Sequence, residues 1–522
     1  MDSGIPSIED VREVTCPMLR QRTALASAAC CLLFSGIAAV NAQDDDALTA
    51  ARNLQRAFTT TIERGEKSVV GIARFKATGG RRDPNALPPE NFVPNEFGSG
   101  VLITDGRPGR KPLVLTNYHL VRGGPVADAS GPSDAGISDI LVRFHDRRRT
   151  RASIIAADPR SDLAVLRLEL GGTEIKWSSL DAFKLQTAKP FKKGHLVVTL
   201  SNPYAQSRDG SASAGWGIIS NIARRLDRRS LPSDDPELLQ RETIHHFGTL
   251  LQIDARLNLG ASGGALLNLD GQLIGITTSL AALDGYEKSA GFAIPFDKPT
   301  RRIIDSLIEG YEVEYGFLGV SPSTATEENM RGISARFKQP TAALISKVVT
   351  NSPAAVAGLH RDDIVLRVNE VLVFNQYDLM REVAMLGPGA IARLRIWPDR
   401  ERKERTLFVK LGKWPVVDEE GIISTRTRLP PWRGLSVDYP TARWKHLPYQ
   451  LDRYYRAVLV TKVAEDSAAA NRKVGIRSGD YITHVNQTAV TTPAEFERLV
   501  SRLSGSVTLN LADGRRVVLP AQ

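Results

Sequence analysis

Leu259-Gly260-Ala261-Ser262-Gly263-Gly264-Ala265-Leu266 is the stretch on which the reading of this chain turns. A serine is framed by glycines and leads into an apolar run. Glycines allow a tight backbone turn and let amide hydrogens converge on one point, where they can stabilise a developing oxyanion. The N–H groups of Gly260 and Ser262 are the donors expected here. Taken alone, such a stretch is also an ordinary glycine-rich loop, because a serine hydroxyl is a poor nucleophile without a base beside it. Two upstream stretches supply what is missing. Leu115-Thr116-Asn117-Tyr118-His119-Leu120-Val121 offers a histidine, and Asp158-Pro159-Arg160-Ser161-Asp162-Leu163 a carboxylate. Histidine titrates near neutrality and suits proton transfer; a carboxylate fixes its tautomer and stabilises the imidazolium. His119, Asp162 and Ser262 follow in that order at spacings of 43 and 100 residues.

Composition fits this chemistry. A chain of 522 residues predicts about three to five domains. Hydrophobic residues make up 42% and charged residues 24%, which excludes wholesale disorder. The net charge of +10 is partly local, in Arg147-Arg148-Arg149, Arg224-Arg225 and Arg400 to Arg405. We read these as solvated loops. No nucleic-acid-binding signature accompanies them, so no nucleic-acid partner is expected, although loose association with acidic envelope surfaces is allowed.

Residues 24 to 40 carry no charge, Arg20 and Arg22 precede them, and Val40-Asn41-Ala42 follows. This pattern predicts a secretory signal peptide over residues 1–42, cleaved after Ala42, with Met18 an alternative start. An uncleaved anchor is the second reading, and a lipoprotein site at Cys30 a weaker one. The expected location is the periplasm or cell envelope. All three cysteines, Cys16, Cys30 and Cys31, lie in this segment. A cleaved chain would therefore have neither a disulfide nor a cysteine nucleophile. No phosphate-binding or dinucleotide fingerprint is present, and the adjacent His245-His246 reads as a solvated loop, so no metal and no cofactor are expected.

Short β-like runs separated by turns fill residues 43–310, predicting a mostly β domain, with flexible loops at Gly79 to Pro94 and Ala223 to His246. A repeat follows. Ala343-Leu344-Ile345-Ser346-Lys347-Val348 aligns with Val458-Leu459-Val460-Thr461-Lys462-Val463, and Asp363 to Asn369 with Asp480 to Asn486. The offset grows from 115 to 117 residues, too long for a solenoid unit. We expect two copies of one small domain, 313–412 and 432–522, each with a helix (Tyr377 to Leu386, Pro493 to Leu503), joined by a linker at 413–431.

Residues 66–300 resemble the protease domain of the HtrA/DegP family. The motifs are Gly98-Ser99-Gly100, Thr116-Asn117-Tyr118-His119, Ser161-Asp162-Leu163-Ala164, Asn202-Pro203, Gln252-Ile253-Asp254-Ala255, Gly260-Ala261-Ser262-Gly263-Gly264 and Gly291-Phe292-Ala293-Ile294-Pro295. The repeated units resemble PDZ domains. The resemblance implies a chymotrypsin-like double β-barrel followed by two PDZ-like α+β domains. It implies that His119 is the general base, Asp162 its orienting partner and Ser262 the nucleophile. In this fold the primary pocket is walled by the segment before the nucleophile and the strand after it, here Leu257, Ile276 and Thr278, which suggests small or medium aliphatic specificity. Tyr315-Gly316-Phe317-Leu318-Gly319-Val320 resembles a carboxylate-binding loop, with Leu318, Gly319 and Val320 cradling a peptide C-terminus, and Arg433-Gly434-Leu435 as its counterpart. The implied activity is ATP-independent endoproteolysis of unfolded or misfolded envelope proteins by a homo-oligomer, a trimer or a multiple of one. Ala261 and Ser201 depart from residues usual in the family, and the stretch from Arg224 to His246 is longer than usual. A catalytically quiet chaperone or peptide-binding scaffold, and an anchored regulatory protease with few substrates, are the alternatives.

Overall fold

The computed structural model describes residues 46–521 apart from 77–86, 89–92, 125, 127–137, 172, 174, 189, 203–210, 226–242, 279–289, 402, 418, 420, 448–455 and 472–474. The expected signal segment and most of the two expected flexible loops lie outside the described residues. Residues 46–60 form a unit of their own and are helical. No helix among the described residues is long and apolar enough to cross a membrane.

From Thr61 onward, apolar β runs build two barrels. The first comprises β1 (Val69–Lys76), β2 (Glu96–Thr104), β3 (Leu113–Asn117), β4 (Ser138–Arg143), β5 (Arg149–Asp158) and β6 (Leu163–Glu169). They hydrogen-bond in the order β1-β4-β5-β6-β3-β2, and pairing of β1 with β2 closes the ring. Its centre is filled by Ile72, Leu102, Val114, Ile140, Ile154 and Leu166. After the two-residue β7 (Phe183–Lys184) come β8 (Leu196–Ser201), β9 (Ser213–Arg224), β10 (Leu250–Ile253), β11 (Ala265–Leu267), β12 (Leu273–Thr278) and β13 (Gly291–Pro295). These close in the order β10-β13-β12-β11-β8-β9 around Val197, Ile219, Leu251 and Leu266. Closure leaves few free edges, and near-continuous burial along β2, β6 and β12 follows from cover on both faces.

The helix Lys298–Ile308 is capped by the Asp297 side chain, which accepts from the Thr300 N–H at 2.9 Å, and leads out of the second barrel. Two sheets of one strand order follow. The first runs Val320–Thr324, Ala343–Val348, Ile364–Val368, Ile391–Trp397, Arg405–Lys410. The second runs Leu435–Asp438, Val458–Val463, Tyr481–Val485, Val507–Leu511, Arg516–Leu519. The helix Gln376–Leu386 of the first repeat has its counterpart in Pro493–Val500 of the second; the first also carries the short helices Ile333–Phe337 and Pro353–Val356.

The segment expected to link the repeats is extensively paired. Gly412–Lys413 pairs with Gly316–Phe317, and Ile423–Ser424 pairs with Ala156 and Ala157 of β5. Lys413 is 1% exposed, with its ammonium 3.0 Å from Glu312, 3.0 Å from Glu314 and 2.8 Å from Asp438. Burial disfavours that charge, but the three carboxylates outweigh burial and raise its pKa. Arg443 joins the cluster, 3.1 Å from Glu312. The cluster therefore ties the chain just before the first repeat to both repeats. Lys413→Met should cost up to about 3–5 kcal/mol, because it removes the cation that three carboxylates share and leaves Glu312 to Arg443 and Glu314 to Arg428. Urea unfolding of the two proteins at neutral pH measures that difference.

Candidate active site

The turn from β5 into β6 carries Asp162. Asp158 builds it: its Oδ2 accepts from the Ser161 N–H at 3.0 Å and the Ser161 hydroxyl at 2.8 Å, while Oδ1 accepts from Arg160 Nε at 3.1 Å. The turn leaves Asp162 at φ +54°, an uncommon conformation for a residue with a β-carbon. The neighbouring strand β3 ends in the helical turn Tyr118–Val121, which places His119 opposite. Asp162 accepts from His119 Nδ1 at 3.0 Å to both carboxylate oxygens, and Oδ1 also accepts from the His119 N–H at 3.0 Å. The Asp162 carbonyl accepts from the Tyr118 N–H and from Asn117 Nδ2, each at 3.0 Å. Since an ionised carboxylate only accepts, Nδ1 bears the proton and Nε2 is left as the basic nitrogen.

Ser262 lies on the other barrel, 3% exposed, between Gly260 at φ +86° and Gly263 at φ +83°. Ser99 of β2 joins the two halves. Its N–H donates to the Ser262 carbonyl at 2.8 Å, its carbonyl accepts from the Thr116 hydroxyl at 2.7 Å, and its own hydroxyl donates to the Gly260 carbonyl at 2.8 Å. That hydroxyl also accepts from the Asn202 N–H at 2.8 Å. Gly263 must be glycine: a β-carbon there would lie 1.9 Å from the Ser99 carbonyl oxygen. Within the loop, the Ala261 N–H donates to Asn258 and the Gly263 N–H to Thr277, each at 2.9 Å.

The comparisons with known proteins agree with this architecture. The trypsin-like peptidase domain family matches residues 98–276. A probable periplasmic serine endoprotease, DegP-like, of Pseudomonas fulva (strain 12-X) is 30% identical over 448 residues, which are 84% of this chain and 78% of that protein. The chain belongs to the DegP-like family of periplasmic serine endoproteases. A second DegP-like relative, from Pseudomonas putida (strain W619), is 28% identical over 483 residues, 85% of this chain and 88% of its own. A solved HtrA-type protease, AlgW with tripeptide, aligns with a TM-score of 0.48 at 24% identity, over 69% of this chain and 99% of that one.

In this DegP-like protease, of the residues expected to wall the substrate pocket, Ile276 and Thr278 lie on β12 and Leu257 in the loop after β10. Thr278 turns its hydroxyl to Asp162 Oδ2 at 3.4 Å, and Ile276 is fully buried in the second barrel, paired with Ala265 and Ile294. Leu257 packs against Gly291, where a β-carbon would lie 3.1 Å from its Cγ.

In the first repeat, the Leu318 carbonyl accepts from the Ala354 N–H at 3.0 Å and the Gly319 carbonyl from the Val349 N–H at 2.9 Å. In these trans peptides the N–H groups of Gly319 and Val320 point opposite those carbonyls, at the start of the edge strand Val320–Thr324, which contacts the helix Gln376–Leu386. The second repeat differs. Trp432 and Leu435 exchange N–H···O bonds of 2.9 Å around Arg433 and Gly434, both at positive φ, so the Leu435 N–H is engaged within the turn.

The reading of His245-His246 as solvated needs correction. His245 is fully buried, in a 3₁₀ turn from Ile244 to Phe247. The turn folds the His245 ring inward. Ser99, Asp158 and Tyr315, whose hydroxyl donates to Asp158 Oδ2 at 2.6 Å, were visible only as parts of motifs. Ser99→Ala leaves the Gly260 carbonyl and the Asn202 N–H without this partner. The expected loss is about 1–3 kcal/mol in urea unfolding, with kcat falling more than KM changes.

Proposed function

We propose that His119, Asp162 and Ser262 form the catalytic triad. The observation that carries this is the paired approach of both Asp162 oxygens to His119 Nδ1, on the barrel that Ser99 joins directly to the Ser262 loop. His119 Nε2 takes the proton of the Ser262 hydroxyl as the oxygen attacks the scissile carbonyl. The N–H groups of Gly260 and Ser262 receive the oxyanion, a role supported by the inward turn of the intervening Ala261 N–H. His119 then gives its proton to the leaving amine, and water hydrolyses the acyl-enzyme by the same exchange in reverse.

The substrates in this proposal are unfolded or misfolded envelope proteins. Leu318, Gly319 and Val320 of the first PDZ-like unit (313–412) hold their C-termini, while the strand Val320–Thr324 takes them up as an added strand. The protease unit is 43–310, the second PDZ-like unit 432–522, and the assembly a homo-oligomer. Purified chain should cleave a denatured, reduced model protein, and Ser262→Ala should not. A free C-terminal peptide should compete in binding where its amidated form does not. Cleavage by Ser262→Ala would remove the triad assignment.

The pH profile is a second check. Burial lowers the His119 pKa, but the charge and hydrogen bond of Asp162, with the charge of Glu96, outweigh burial and raise it above 6.5. The base must be neutral to act, so kcat/KM should fall as pH drops through that raised value, with a midpoint above 6.5.

A further inference from the structure

We propose that His245 is a positioning residue for Asp162. The inference rests on the triad reading above. Two peptide planes flank Asp162 and together set its backbone. The plane after it is held through the Asp162 carbonyl, by the Tyr118 N–H and Asn117 Nδ2. The plane before it contains the Ser161 carbonyl, and His245 Nε2 lies 3.1 Å from that oxygen. A carbonyl can only accept, so Nε2 carries the proton. Nδ1 is then the acceptor, and it receives the Thr249 hydroxyl at 2.5 Å. Thr249 thus fixes the tautomer that lets His245 hold the Ser161–Asp162 peptide.

The neutral ring suits this task. Burial lowers the His245 pKa to about 4, more than the Asp162 charge and the Ser161 hydrogen bond raise it. It stays neutral in the range where His119 acts, and a cation is kept away from the triad aspartate. The segment around it is anchored to the same turn: the Arg160 carbonyl accepts from the Ile244 N–H at 3.0 Å and from the Thr243 hydroxyl at 2.8 Å. A positive φ at Asp162 persists only if its surroundings hold it. Without His245, Asp162 would relax away from His119 Nδ1.

The test compares full-length mature chain, His245→Ala and His245→Gln on a denatured model substrate, with Ser262→Ala as the blank. A glutamine amide can donate to Ser161 and accept from Thr249. His245→Ala should lower kcat roughly 10- to 100-fold with KM little changed, the scale of a misplaced catalytic group. Its acid limb should move to lower pH, since His119 loses part of the Asp162 charge that raises it. His245→Gln should restore both. Wild-type kcat and pH profile in His245→Ala would overturn the proposal. So would an impaired kcat with an unmoved acid limb, which marks a merely structural role. If His245→Ala does not fold, His245→Gln with Thr249→Val decides. Loss of kcat with a shifted limb in Thr249→Val, against a wild-type profile in the glutamine variant, supports the proposal; any other pairing overturns it. Activity in Ser262→Ala would sink the triad reading itself, separately from His245.

Discussion

Ser99 is where the two barrels become one enzyme. Its N–H, carbonyl and hydroxyl all point at groups that position the Ser262 loop or its neighbours. The residue is fully buried, so none of these bonds competes with water, and each broken one would leave a buried polar group unmatched. The close approach of β2 to the nucleophile loop in turn forbids a side chain at Gly263. At Gly98 a β-carbon would lie 2.4 Å from a terminal methyl of Leu120, the neighbour of His119, and would have to displace that side chain. One strand thus spaces the His119 turn and the Ser262 loop against each other. The aspartate is spaced from the other side, by a turn whose own internal carboxylate, Asp158, is locked by Arg160 and Tyr315.

That the chain is a serine endopeptidase was legible in the sequence because such chemistry demands particular residue types. A nucleophilic serine, a base and an orienting carboxylate have few substitutes, and the glycines around Ser262 report backbone geometry directly. The repeat was legible for a similar reason, since two copies of one hydrophobic pattern fold alike. What stayed hidden depends on convergence in space. Ser99 and Gly260 are 161 residues apart, and nothing near either predicts their bond. His245 was hidden by its twin: an adjacent histidine pair looks polar, and only the 3₁₀ turn separates an inward ring from its neighbour. Thr278 ends β12, the second strand after Ser262, and the bond from its hydroxyl to Asp162 has no local signal in the sequence.

The charged joint at Lys413 follows the same logic at larger scale. A buried ammonium among Glu312, Glu314 and Asp438 gives little net stability, because desolvation offsets attraction. It does give direction. The contacts of Lys413 and Arg443 fix the barrel exit, the end of the first repeat and the start of the second to one another.

The strand Ile423–Ser424 lies along β5 where that strand runs past its partner β4, next to the turn that carries Asp158 and Asp162. An enzyme acting on the unfolded chains proposed above would meet a surplus of loose backbone, and any bare sheet margin would invite it to anneal. Here the margin beside the aspartate is already filled by the protein's own connector. A captured chain would have to displace covalently tethered backbone to settle there, whereas the rim at Val320–Thr324 stands as the first strand of its sheet. The connector thus works as a selvedge: it keeps the cloth from unravelling on the side of the chemistry and leaves the weaving to the side of the repeats.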